Sequence, residues 1–336
     1  MKYKFLFLFF LCLISFELKA YCTKNNTVGF EFLNDAFFRE DNKISSSWAI
    51  HFHSKIVHAW EEFGKWGYKL DGIERHLGGT KDLYHRITFS LGQIIQTPDD
   101  LDRSDLIEDD VPYAGILVGT INFYSFNSHK FNGLQLVVGV VGPLSLGEQT
   151  QKVVHRKDPK GWTHQLHTEP ILNLNFMVKR KLLRYGFSHG FSCDLDAGGY
   201  GGLGNLFTQA SLVTNFRFGY NLPQGFTYNP YPVGFNLNYK AELPQNNNKW
   251  SFYITLGIST SGFLRNLLFD GNTIRDSHSV DKKDFVAQFF SGIHLVKGRF
   301  ALRFYVLVTT DDVDMKSDYK GADNERFGTI LLEWNF

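Results

Sequence analysis

The sequence predicts an all-β protein, a twelve-stranded antiparallel transmembrane β-barrel with a helical extracellular loop. Three observations predict it. An export signal heads a chain that holds no later apolar run long enough for a membrane helix. Segments of about ten residues then alternate apolar and polar side chains, the length and dyad repeat of a tilted membrane strand. The last such segment, with Gly328, Ile330, Leu332, Trp334 and Phe336 in one phase, runs to a terminal aromatic.

Lys2 and Lys4 precede an apolar run from Phe5 to Phe16, and Leu18-Lys19-Ala20 offers a cleavage site. Residues 1–20 are therefore expected to be a signal peptide, and 21–336 a single barrel domain. Lys19, where an aliphatic residue is needed, excludes a lipoprotein signal before Cys22. Cys22 and Cys193 are the two cysteines left, too far apart in sequence to signal a disulfide framework, and no zinc-ligand spacing occurs. A formal net charge of +1 without a basic stripe argues against nucleic acid as a partner. With 33 Phe, 15 Tyr and 31 Gly, the composition fits an outer-membrane barrel or a large β-sandwich, so the pattern must decide.

The pattern favours the barrel. Leu172, Leu174, Phe176 and Val178 alternate with Asn173, Asn175, Met177 and Lys179. Phe300, Leu302, Phe304, Val306 and Val308 alternate with Arg299, Ala301, Arg303 and Tyr305. Strands are predicted near 27–33, 47–58, 84–96, 113–126, 133–141, 171–181, 186–196, 207–219, 250–260, 284–294, 299–309 and 326–336. An even count returns both termini to the periplasm. It also gathers Asn34-Asp35, Ser45, the acidic stretch 97–110 and the segment 142–170 at the outer rim. Residues 59–83 and 220–249 become long periplasmic connections, against the usual short turns, and 233–242 has the look of an extra strand.

The segment 142–170 interrupts the alternation between Gly142-Pro143 and Glu169-Pro170. Glu148, Gln151, Lys152 and His155 fall at i, i+3, i+4 and i+7, which predicts a short polar helix over 148–155. Such a helix has no purpose in a bare barrel wall, so it is the expected carrier of chemistry, with His155 at its centre. A lone loop histidine is otherwise most often a solvated surface residue.

The stretches LNDAFF at 33–38, DDVPYAGIL at 109–117, GVVGPLSLGEQTQKVVHRK…KGWTHQL at 139–166 and LRNLLFDGNTIRDSHSVDKKDF at 264–285 resemble the lipid A 3'-O-deacylase family. Gly204-Asn205 also fits, and the resemblance spans essentially the whole mature chain. It implies a monomeric bacterial outer-membrane esterase that acts with calcium on the 3'-linked acyloxyacyl chain of lipid A or lipopolysaccharide in the outer leaflet. It assigns His155 as the general base, with Asn34, Asp35 and Ser45 beside it in the catalytic site. Asp35 is the implied calcium ligand, and Arg103, Gln151 and Asp110 are implied substrate contacts. Asn34 shares the outward phase of Val28, Phe30 and Phe32, whereas without the resemblance Asn34-Asp35 reads as a turn.

Two departures stand out. Val111 replaces an arginine common in the family, and the carboxylate expected to support the histidine is either Asp158 or Glu169. No Gly-x-Ser-x-Gly elbow is present, which favours direct attack by water. The competing readings are a non-catalytic barrel, pore or adhesin, and a Ser-His-Asn phospholipase for which Ser145 is the nearest serine.

Overall fold

The computed structural model describes residues 26–34, 44–65, 67–76, 82–154, 159–230, 239–243, 245, 249–313 and 325–336. The expected signal peptide, Asp35, His155 and Asp158 lie outside the described residues. Twelve strands close one antiparallel barrel: β1 (Thr27–Asn34), β2 (Ile44–His53), β3 (Tyr84–Gln96), β4 (Ala114–Phe126), β5 (Lys130–Val141), β6 (Glu169–Gly186), β7 (Phe191–Gly204), β8 (Phe207–Tyr220), β11 (Ser251–Asn266), β12 (Phe285–Lys297), β13 (Phe300–Thr309) and β14 (Arg326–Asn335). β14 pairs with β1 from Thr27↔Asn335 to Asn34↔Gly328 and so leaves no free edge. β9 (Gly225–Phe226) and β10 (Ala241–Glu242) form a separate two-stranded sheet.

Alternation decides which way each side chain points. On β13, Phe300 and Leu302 are exposed while Ala301, Arg303 and Tyr305 are buried. On β6, Leu172, Leu174, Phe176 and Val178 are exposed while Asn173, Asn175, Met177 and Lys179 are buried. The exposed phase is an apolar belt for lipid, and the polar phase lines the interior.

Some strands depart from expectation. β7 runs Phe191–Gly204 instead of 186–196 because its glycine run is strand after all. A Cβ at Gly201 would meet the Phe176 ring at 2.4 Å, and one at Gly202 would meet Asn175 Oδ1 at 2.7 Å. Side chains from β6 thus cover the bare backbone, which compensates the weak strand propensity of glycine. β2 begins at Ile44, with a register shift between Ile44 and Ser46, so Ser45 lies in the wall and not in a loop.

The interior holds part of the chain itself. After β8 the chain turns back into the barrel, where Arg217 donates to the Pro223 and Gly225 carbonyls and to Thr227 Oγ1. Arg303 pairs with both Glu242 and Glu333, at 2.7 and 2.9 Å, and Lys240 also reaches Glu333 at 2.8 Å. Lys179 pairs with Asp196 at 2.9 Å and donates to Tyr239 Oη. What looked like a long periplasmic connection is a plug whose polar groups find partners in the wall. Residues 231–238, the core of the suspected extra strand, lie outside the described residues.

The other long connection packs elsewhere. It holds a 3-10 turn at Trp60–Phe63 and helix α1 (Gly67–His76), and the Trp60 ring lies 4.7 Å from His85 and 6.3 Å from Phe123 on the outer face of β3 and β4. At the opposite mouth, α3 (Leu267–Asp270) buries Leu267, Leu268 and Phe269 over an apolar interior layer. Gln96 Nε2 donates to Leu268 O at 2.8 Å and holds this cap down.

Candidate active site on the outer wall

The predicted helix forms as α2 (Gly147–Val154), introduced by a 3-10 turn at Pro143–Ser145. Leu146, in the left-handed region at φ 59°, joins the two. Lys152 Nζ reaches Glu148 Oε1 at 2.7 Å across one turn, an exposed pair worth only a few tenths of a kcal/mol. The single polar face expected for α2 divides. Lys152 faces solvent, whereas Gly147 and Gln151 are buried against the barrel side.

The helix packs against the outside of β3 and β4. Glycine makes this approach possible, because a Cβ at Gly115 would lie 2.2 Å from Ser145 Oγ and 3.0 Å from Gly147 Cα. Gln151 Oε1 accepts from Trp162 Nε1 at 2.7 Å, which ties α2 to the 3-10 turn at Gly161–His164. The Trp162 ring in turn lies 5.1 Å from Tyr113. Burial pushes the Tyr113 hydroxyl up to about 12.

Register defines the wall beneath this loop. Ile330, Phe32, Trp48, Gln93, Leu117 and Val140 are cross-strand partners in one row on the outer face. The next row toward the extracellular side holds Gly328, Asn34, Ser46, Ile95 and Gly115, all buried. Gly328, beside Asn34, and Gly115 carry no side chain, so this row stands lower on the wall than the row of Phe32 and Trp48, a recess by residue size. Asn34 therefore keeps the outward phase expected of it, yet is only 8% exposed. Gln93 is the one carboxamide in an otherwise apolar row. It accepts from Trp48 Nε1 at 2.9 Å, donates to Ser145 O at 2.6 Å, and thereby joins wall to loop.

A second clasp holds the far end of the loop. Asn272 Oδ1 accepts from His167 N, and Asn272 Nδ2 donates to His167 O, both at 2.8 Å. The Glu169 carboxylate accepts from the backbone N–H groups of Thr273 and Ile274 and from the Asn205 and Asn272 side chains. Glu169 is thus committed to anchoring the β11–β12 loop and is not free to support a histidine. Asn205 belongs to the same anchor, donating to Pro170 O and accepting from Leu172 N.

The remaining sequence candidates separate. Asp110 is buried and accepts from Asp99 N at 2.9 Å and Val111 N at 2.6 Å, which folds the loop between β3 and β4. Arg103 is exposed and pairs with Asp105, whose carboxyl it holds below the usual range. Neither reaches the recess through any of these bonds. Ser145 is fully buried, its Oγ accepting from Gly147 N at 3.3 Å, which removes the phospholipase reading's serine. Asn34 and Gln151 are described at the wall and the helix, and Ser45 by its strand position. Trp48, Ser46, Gln93, Gly115 and Asn272 were missed. For Gln93 a signal existed, since it interrupts the apolar phase of Phe89, Leu91 and Ile95.

A family model described as "Outer membrane protein LpxR" matches residues 6–336. The chain belongs to the LpxR family. It is accordingly a protein of the bacterial outer membrane, and its closed twelve-strand barrel agrees with that placement. Among solved structures, LpxR from Salmonella typhimurium aligns at TM-score 0.72 and 14% identity, over 92% of this chain and all of that one. The β domain of the Bordetella autotransporter BrkA aligns at TM-score 0.46 and 8% identity, over 93% of this chain and all of that one. An outer membrane channel from Pseudomonas putida F1 aligns at 0.43 and 8%, over 95% and all of that chain. These last two add nothing beyond general barrel shape. A search of the curated proteins finds no match.

Proposed function

We propose that this LpxR-family protein is a lipid A 3'-O-deacylase, an esterase that hydrolyses the 3'-linked acyloxyacyl chain of lipid A in the outer leaflet. The observation that carries the reading is the α2-bearing loop clipped to the lipid-facing side of the wall, where an outer-leaflet ester can enter sideways. A pore is disfavoured, because described residues of the plug and the α3 cap occupy the interior.

His155 stands four residues beyond Gln151, whose side chain faces the wall. In this proposal its neutral imidazole takes a proton from water as the water attacks the ester carbonyl, and returns it to the departing 3'-oxygen as the acyl C–O bond breaks. The Asn34 carboxamide, at the rim of the recess, positions that water or the ester. Gln151 Nε2 is buried without an acceptor, and supplies a donor for the substrate. Arg103 is the family's candidate for headgroup phosphate.

Calcium is the implied metal. The described donors in the recess, Asn34 and Ser46, are oxygen-bearing, without thiol or imidazole, which fits a hard cation. Asp35 and Ser45 would hold it from the adjoining positions. Bound calcium supplies positive charge beside the developing oxyanion.

The test is mass spectrometry of lipid A from a heterologous host expressing the chain. Loss of the 3'-linked acyloxyacyl mass is expected, with purified protein inactive in chelator and restored by calcium. Asp35→Asn is expected to abolish or weaken that restoration. Unchanged lipid A at high expression of folded barrel would sink the reading, and full activity in excess chelator would remove the metal from it.

Gly115→Leu probes the geometry. The side chain must push Ser145 and Gly147 off the wall, and a displacement near 1 Å is expected to lower the rate about 100-fold. The barrel should still shift on a gel between heated and unheated samples. Undiminished deacylation would mean that loop placement is irrelevant.

A further inference from the structure

We infer that Trp48 is a specificity-determining residue, the wall of the slot that receives the scissile acyl chain, with Gln93 setting the width of that slot. The inference rests on the deacylase reading and deepens it.

Trp48 sits one rung below the recess row that contains Asn34 and Ser46, on the same outward face. One rung lower again, Phe30, Ile50 and Leu91 are cross-strand partners and exposed to lipid. The half-buried indole is therefore the step between a polar recess and the hydrocarbon belt. An acyloxyacyl ester held at the recess must lead its chain carbons past this ring.

The ring is not free to swing aside. Its Nε1–H donates to Gln93 Oε1 at 2.9 Å, and Gln93 Nε2 donates to Ser145 O at 2.6 Å. A primary amide on the lipid-facing phase is costly unless its hydrogen bonds are made. Here both ends are used, one on the wall and one on the helix-bearing loop, and Gln93 is only 2% exposed. The relay fixes the ring relative to the loop, and a fixed gap discriminates between chains of different bulk.

The class of ligand follows from the surroundings. Phe32 and Leu117 flank Trp48 and Gln93 in the same row, and no charged side chain interrupts it. A saturated acyl chain suits that row, and a branched acyloxyacyl chain fills it more than a single chain does.

The experiment measures kcat/KM on two purified lipid A forms, one with the secondary chain on the 3'-linked acyl group and one without. Wild-type protein should prefer one of the two. Trp48→Ala should bring that preference down by about tenfold, the scale of discrimination an apolar pocket provides. Trp48→Phe, which keeps a ring, should restore most of it. Gln93→Met removes the relay and should relax the preference, because the ring is still present but no longer held against the loop. Heat-modifiability shows that each variant is folded. A Trp48→Ala variant that releases acyl chains with the wild-type preference overturns the inference alone, whereas wild-type protein that releases none overturns the deacylase reading. A binding arm serves in that second case. Fluorescence lost on Trp48→Phe should be quenched in wild type by bromine placed on the 3'-linked chain, and absence of quenching counts against the slot.

Discussion

His155→Ala is expected to release almost no 3'-linked acyl chain, a loss of about 10²–10⁴-fold in rate, the usual consequence of removing a positioned base. His155→Gln should not rescue it, because an amide cannot accept the proton. The barrel should be untouched, since position 155 falls in sequence between α2, which ends at Val154, and β6, which begins at Glu169, and the wall closes through β1 and β14 far from it in sequence. Rates measured on detergent-solubilised protein, with gel mobility before and after heating, separate chemistry from folding. A folded alanine variant that deacylates at near wild-type rate would remove the histidine from the mechanism and leave α2 as a mere cover on β3 and β4.

The second large effect is on stability. Arg217 is fully buried and binds Asp194 through two parallel bonds, at 2.8 and 2.7 Å, while its other donors reach Thr227 and the carbonyls of Pro223 and Gly225. Arg217→Met removes the charge and all of those tethers at once. Breaking a buried pair from one side costs about 3–5 kcal/mol. The lower end is expected here, because Asp194 retains Arg184 at 2.8 Å and Lys181 at 3.3 Å. Urea unfolding in detergent should show the loss as a lower midpoint, and limited proteolysis should begin between residues 221 and 249. A change below about 1 kcal/mol would mean that the plug is held without this arginine.

These two residues differ in how far the sequence alone exposes them. Position 155 lies in a segment that breaks the dyad alternation, so a local pattern marks it. Arg217 sits inside an ordinary alternating strand, between Phe216 and Phe218, and looks like any interior polar residue. Its meaning comes from a plug whose return into the barrel leaves no periodic trace. The long 220–249 connection was visible only as an anomaly.

The same contrast runs through the wall. Phe300 to Val308 on β13 show their facing directly, because lipid on one side and polar groups on the other enforce the alternation. β7 hides its second half, since Gly198, Gly199, Gly201 and Gly202 carry no side chain to alternate, and β6 covers Gly198, Gly201 and Gly202 while β8 lies beside Gly199. Asn34 shows a related gap. Its outward phase was legible, but its burial was not, because burial depends on what the rim folds over it. Asp110 and Glu169 look like site carboxylates in the linear chain. In three dimensions each is occupied with backbone N–H groups, a use that no spacing rule reveals.

The filled interior has a consequence for the cell that carries the protein. An outer membrane protects its owner only while hydrophilic solutes are kept out, and every open barrel is a leak. A barrel that folds its own residues 222–230 and 239–243 into its interior, with α3 at the opposite mouth, lets such a protein accumulate without weakening that defence. Copy number can then follow the demand for surface remodelling, and cells rich in this protein should keep their resistance to small polar antibiotics.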